Sequence, residues 1–99
     1  MLHIVNKSHA QTSTLASCLR LVKDGAALLL IEDGIYAATS GGAPSSGLAE
    51  AATRLKVYVL QPDVEARGMS GKLIAGVSTV DYGGFVDLVT EHSNNQSWL

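Results

Sequence analysis

Gly25-Ala26-Ala27-Leu28-Leu29-Leu30-Ile31, closed by Glu32-Asp33-Gly34, is the stretch on which the fold turns. The apolar run from Ala26 to Ile31 is unbroken, and it shows neither strict alternation nor a helical repeat. A short continuous apolar run between glycines and acids suits a strand buried on both faces, the kind that parallel sheets contain. The run is also the longest in the chain, far below the roughly 20 residues that a bilayer requires.

On its N-terminal side, Leu15, Cys18, Leu19 and Val22 fall at i, i+3, i+4 and i+7, one apolar helical stripe, while Arg20 and Lys23 face away. Thr12 or Ser13 can cap that helix, and Gly25 supplies a left-handed residue after it. A polar loop, Lys7-Ser8-His9-Ala10-Gln11, separates the helix from a first strand at Leu2 to Val5. On the C-terminal side, Ile35-Tyr36-Ala37-Ala38 reads as a brief helical turn and Ser40 to Gly47 as a loop. Leu48, Ala51, Ala52 and Leu55 repeat the helical stripe, with Ser45 or Ser46 as cap. Lys56-Val57-Tyr58-Val59-Leu60 is a strand. Pro62 suits a first helical position, and Asp63 and Glu65 favour the positive end of a short helix ending near Gly68. Val77 to Val80 is a weaker strand; Asp81 then caps a last helix whose stripe is Tyr82, Phe85, Val86 and Val89. A fifth strand is expected between Met69 and Ala75, and the tail Ser93 to Ser97 reads as polar, closing with Trp98-Leu99.

Strands alternating with helices imply βαβ crossovers. The expected architecture is therefore a single domain over residues 1–99, an α/β three-layer fold. It has a parallel sheet of four to five strands and helices on both faces.

Composition narrows the function. Of 99 residues, 46% are hydrophobic and 16% charged, with a net charge of −2. An average soluble domain carries roughly 25% charged residues, so about nine ionic side chains are missing. Nucleic-acid binders want a basic surface, which this balance does not give. Disordered chains are poor in apolar residues, which excludes disorder. Small domains bury only a little over half of their unfolded surface. An under-charged chain of this size is thus expected to work as a subunit with covered faces. Asn6 and Lys7 interrupt any signal-peptide core, and the lone Cys18 excludes an internal disulfide. The expectation is a cytoplasmic protein whose thiol stays reduced.

In parallel sheets, ligands sit beyond the carboxyl ends of the strands. Asn6, Lys7, His9, Glu32, Asp33, Gln61, Asp63 and Asp81 stand there. Such a rim could hold Mg²⁺, but acids at these junctions more often cap helices. Gly41, Gly42 and Gly47 match neither the Walker nor the dinucleotide spacing, so their loop reads as a connector. His3, His9 and His92 lack metal-ligand spacing: His3 reads as a packed strand residue, and His9 as a surface group or a substrate contact. No metal and no cofactor is expected. Cys18 has two readings. On an apolar stripe it is a buried structural thiol. As a nucleophile it would need a thiolate, and its helical neighbours carry no charge to make one. Activation would have to come from a partner subunit or from Lys7 and His9.

Several stretches together resemble the DsrH/TusB family. They are Met1-Leu2-His3, Ser17-Cys18-Leu19-Arg20, Glu32-Asp33-Gly34-Ile35-Tyr36-Ala37-Ala38 and Lys56-Val57-Tyr58-Val59-Leu60. Pro62-Asp63, Ala66-Arg67-Gly68, Val80-Asp81-Tyr82 and Phe85-Val86-Asp87-Leu88 continue the series in the family's order. The resemblance covers essentially the whole chain. It implies a small DsrE-like subunit of a heterohexamer, two copies each of three related subunits, that relays sulfur as cysteine persulfide. The partners implied are DsrE/TusD-like and DsrF/TusC-like subunits, with a DsrC/TusE-like carrier downstream. No direct nucleic-acid or membrane contact is implied. TusBCD-like complexes pass sulfur toward 2-thiolation of the tRNA wobble uridine; DsrEFH-like complexes act in sulfur oxidation. In both, the principal reactive cysteine lies on the DsrE/TusD-type subunit. Cys18 matches a first-helix cysteine of DsrH-type subunits, which makes it the candidate secondary persulfide acceptor. A non-catalytic scaffold is the rival role. Tyr36, Phe85 and Trp98 are the candidate interface residues, because aromatics are enriched at interface cores.

Overall fold

A computed structural model describes residues 1–98, and Leu99 lies outside the described residues. The apolar run at Ala26 is the strand that the sequence demands: Ala27–Leu30 (β2) is buried at every position. It lies at the centre of the sheet, flanked by Leu2–Val5 (β1) and Lys56–Leu60 (β3). Val77–Val80 (β4) is paired outside β3, and Asn95–Trp98 (β5) outside β1. All four pairings are parallel, in the order β4-β3-β2-β1-β5. The expected three-layer α/β architecture is present.

The helices divide unevenly between the two faces. Alternation sends Val5, Leu28, Leu30, Val57 and Val59 to one side of the sheet. There they meet Leu15 and Cys18 of Thr14–Leu21 (α1), and Ile35 and Ala37 of the 3₁₀ segment Glu32–Ala38. Ala43–Ser46 (α2), Leu48–Ala51 (α3) and Gln61–Ala66 (α4) follow along the chain, and Leu48 and Val64 join the same core. Leu2, Ile4, Ala27 and Leu29 point to the opposite side. That side is covered by Tyr82–Glu91 (α5), through Leu88 and the partly buried Phe85 and Val89.

Local details explain where elements start and stop. Asp81 caps α5 by accepting the Gly84 N–H at 2.7 Å. At α3 neither Ser45 nor Ser46 is the cap: Gly47 holds that position without a side-chain bond, and Ser46, the last residue of α2, accepts the Leu48 N–H on Oγ at 3.2 Å. At α1, Ser13 makes no side-chain cap; instead the Thr14 N–H donates to Thr12 Oγ1 at 3.4 Å. Gly25 is left-handed (φ 86°) but sits in the turn before β2, where its N–H reaches the Arg54 carbonyl at 2.7 Å. Gly34 is required by close approach: a Cβ there would come 2.5 Å from the Val5 carbonyl oxygen.

Four further expectations fail. The stripe expected on α5 is half wrong: Phe85 and Val89 turn to the sheet, but Tyr82 and Val86 are exposed, and Leu88 is the residue the helix buries. The fifth strand is not between Met69 and Ala75, where Leu73 makes only an isolated antiparallel bridge to Thr39. It lies in the polar tail, Asn95–Trp98, where Asn95, Gln96 and Ser97 are exposed as an edge strand permits. The stretch from Ser40 to Gly47 contains a helical turn at Ala43–Ser46. The stripe from Leu48 to Leu55 is regular helix only as far as Ala51, continuing as turns in which the Leu55 N–H still reaches the Ala51 carbonyl at 2.9 Å. Among the described residues no helix is long and apolar enough to cross a membrane.

Candidate functional site

Cys18 sits on the inward stripe of α1 and is fully enclosed. The larger core surrounds it, and burial pushes the thiol up to about 11, because a thiolate without solvent is costly. One charge opposes this: the Arg54 guanidinium, which favours the thiolate. Arg54 Nη2 donates to the Leu19 carbonyl at 2.7 Å and Nη1 to the Val22 carbonyl at 3.0 Å. A second bond from Nη1 reaches Asp24 Oδ1 at 3.2 Å. The carbonyls at the end of α1 lack helical partners, and a cation there also complements the helix dipole. Arg54 thus fastens the end of the Cys18 helix to the segment that leads into β3. Sequence reasoning missed Arg54, since nothing local links residue 54 to a helix that ended more than thirty positions earlier.

Lys7 and His9 were the groups expected to help the thiolate. Lys7 is exposed, and His9 is engaged elsewhere. His9 Nε2 is hydrogen-bonded to Ser45 Oγ at 2.9 Å, and that oxygen also lies 3.2 Å from the Gly42 carbonyl. The remaining nitrogen, Nδ1, is buried without a partner among the described residues, as is Asn6 Oδ1. Gly42 makes room for this histidine, because any Cβ there would collide with the Tyr36 carbonyl and press on the imidazole. Nearby lies a cavity of about 560 Å³ lined by Tyr36, Thr39, Ser40, Gly41, Gly42, Met69 and Lys72.

The carboxylates at the strand ends serve the fold. Asp63 Oδ2 accepts the Glu32 N–H at 2.7 Å, holding Glu32 in a left-handed conformation (φ 50°). Arg67 Nε donates to Asp33 Oδ1 at 2.9 Å, and its Nη1 lies 3.8 Å from Asp63. Asp81 is the cap of α5 already described.

The remaining predicted positions are half-hidden. His3 is buried in β1 and accepts the Trp98 indole N–H on Nδ1 at 3.1 Å. Trp98 and Tyr36 pack against the larger core and Phe85 against the smaller. Among the described residues, the large apolar side chains that face outward are others: Met1, Leu21, Tyr82 and Val86.

A five-stranded, wholly parallel sheet with most of its helices on one side defines a small three-layer α/β protein. Solved structures share it: the ychN protein of E. coli (TM-score 0.78, 18% identity, 97% of both chains). A protein of unknown function from Methanobacterium thermoautotrophicum does too (TM-score 0.73, 19% identity, 97% of this chain and 95% of that one). At those identities the likeness speaks of the fold alone. Sequence goes further. A family model described as DsrH like protein matches residues 7–95. A protein from Pectobacterium parmentieri named Protein TusB is 43% identical over 100 residues, spanning 99% of this chain and all of its own. Its namesake in Shigella flexneri is 38% identical over 98 residues with the same coverage. The chain belongs to the DsrH/TusB family.

Proposed function

We propose that the chain, residues 1–99 as one domain, is the TusB-like subunit of a cytoplasmic heterohexameric sulfurtransferase complex. The complex relays persulfide sulfur toward 2-thiolation of the tRNA wobble uridine. Its partners are DsrE/TusD-like and DsrF/TusC-like subunits, and a DsrC/TusE-like carrier takes the sulfur onward. Full-length similarity to proteins named TusB supports this branch. The family model carries the DsrH name, and this favours a second branch, sulfur oxidation. Dissimilatory sulfite reductase genes beside this one would select that branch.

Within the complex the chain acts as a scaffold. One observation carries this reading: Cys18 is fully buried with its thiol pushed up to about 11. At neutral pH about one molecule in ten thousand would hold the thiolate that attacks a persulfide. Sulfur transfer requires that thiolate to displace at the donor's outer sulfur, and therefore also requires access. The nearby Arg54 guanidinium favours the rival role, Cys18 as secondary persulfide acceptor, but that role needs α1 to lift from the sheet.

The test is to assemble the complex, load it with a persulfide donor and weigh this chain by mass spectrometry. A scaffold shows no added 32 Da at Cys18, and Cys18→Ala leaves transfer to the carrier at the wild-type rate. An adduct on Cys18, together with slower transfer in the variant, would establish the acceptor role instead.

A further inference from the structure

At the end of β1 away from the strand carboxyl termini, a cavity of about 470 Å³ opens between Met1, His3, Leu21, Lys23, Asp24, Gly25 and Ala26. Its volume lies in the range of small-molecule sites, which are mostly apolar with a few placed polar groups. Leu21 is 71% exposed and Met1 54%, so two of the four large apolar side chains exposed among the described residues line this one hollow.

The polar groups have a definite sense. His3 is 7% exposed, and its tautomer is set by its neighbour. The indole nitrogen of Trp98 can only donate, so His3 Nδ1 must be the lone-pair nitrogen and the ring proton sits on Nε2. Nε2 has no partner among the described residues, and it is not sealed in the core. It is a held donor without an acceptor. Burial lowers the His3 pKa, which keeps the ring a neutral donor. Lys23 adds a cation, unpaired among the described residues. The one carboxylate in the lining, Asp24, is already bound to Arg54 at 3.2 Å.

We propose that this hollow is a binding site for a small organic monoanion, a carboxylate carried on a short apolar chain. The chain lies between Met1 and Leu21, one carboxylate oxygen accepts the His3 Nε2–H, and Lys23 pairs with the charge. The site is independent of the sulfur-relay reading: it takes in Leu21 at the end of α1, but Cys18 is not among its lining residues.

Hexanoate is the probe, titrated into the full chain while the His3 imidazole nitrogens are followed by NMR, with acetate and hexanol as controls. Hexanoate is expected to shift the Nε2 resonance saturably and to bind at least tenfold tighter than either control. Lys23→Gln should weaken it about threefold to fivefold, the size of an exposed ion pair. Leu21→Ser should weaken it by a comparable factor, and both positions are exposed enough to leave the fold intact. Hexanol binding as tightly as hexanoate, or saturation without any change at His3, would overturn the proposal.

Discussion

The two faces of the sheet are built to different depths. Among the described residues, fifteen buried side chains make the core on the α1 face and five make the core on the α5 face. On the first, five helical segments close over the strands. On the second, α5 must cover them with Leu88, Phe85 and Val89, while Tyr82 and Val86 on the same helix stay 62% and 60% exposed. The difference teaches where this chain is self-sufficient. Its thick face holds it together; its thin face leaves Tyr82 and Val86 outward, and on the thick face the end of α1 leaves Leu21 outward as well, the composition expected of a subunit.

Mutations can break that comparison. The largest effect is expected from Leu28→Ala on the thick face, about 2–5 kcal/mol, since a cavity there has densely packed walls. Leu88→Ala on the thin face should cost about 2 kcal/mol, at the lower end of that range, because fewer neighbours surround it. Urea midpoints at constant slope decide it, and equal losses would mean the faces are energetically alike. Arg54→Met should cost about 1–3 kcal/mol by orphaning the Leu19 and Val22 carbonyls. Arg54→Lys should recover only part, because a point charge cannot span two acceptors as a planar fork does.

Acid is expected to act through His3, where β1 meets β5. Burial lowers its folded pKa below the ordinary 6.5, so the unfolded chain takes up the proton first. The stability this histidine contributes is complete above pH 6.5 and is lost as pH falls from there through the folded pKa. Protonation of Nδ1 also removes the acceptor for Trp98. His3→Gln should flatten the stability profile in that window, and an unchanged profile would assign the acid sensitivity to other groups. The smallest effect sharpens the comparison from the other side. Val86→Ser should change the isolated chain by no more than about 0.5 kcal/mol. It should nevertheless weaken assembly with partner subunits if they cover α5, as measured by co-elution.

Legibility followed the same division. Strands β1, β2 and β3 were readable because they are short and mostly apolar, and α1 because its stripe is its buried face. Helix α5 was readable as a helix, but its expected stripe included Tyr82 and Val86, which face outward, and missed Leu88, which it buries. β5 was not, since Asn95, Gln96 and Ser97 form a strand by pairing with β1, with no apolar pattern of their own. Helix α3 stops at Ala51 although its stripe continues, and the turns that follow carry Arg54, whose bonds to the end of α1 no local pattern shows. Cys18 could be placed on an inward stripe from sequence, yet its full enclosure depends on strands and helices brought together from across the chain. The tie between His3 and Trp98 spans 95 positions and leaves no local signal.

That same long tie has a consequence for how the chain comes to be folded. β5 joins the sheet at β1, so a central strand made first waits for a neighbour made last. Contacts of such separation are slow to form because the loop must close before they give any return. At about 5–20 residues per second, β1 spends seconds on the ribosome with one edge bare. During that interval its N–H and C=O groups are open to any extended segment nearby, the nascent chain of a neighbouring ribosome included.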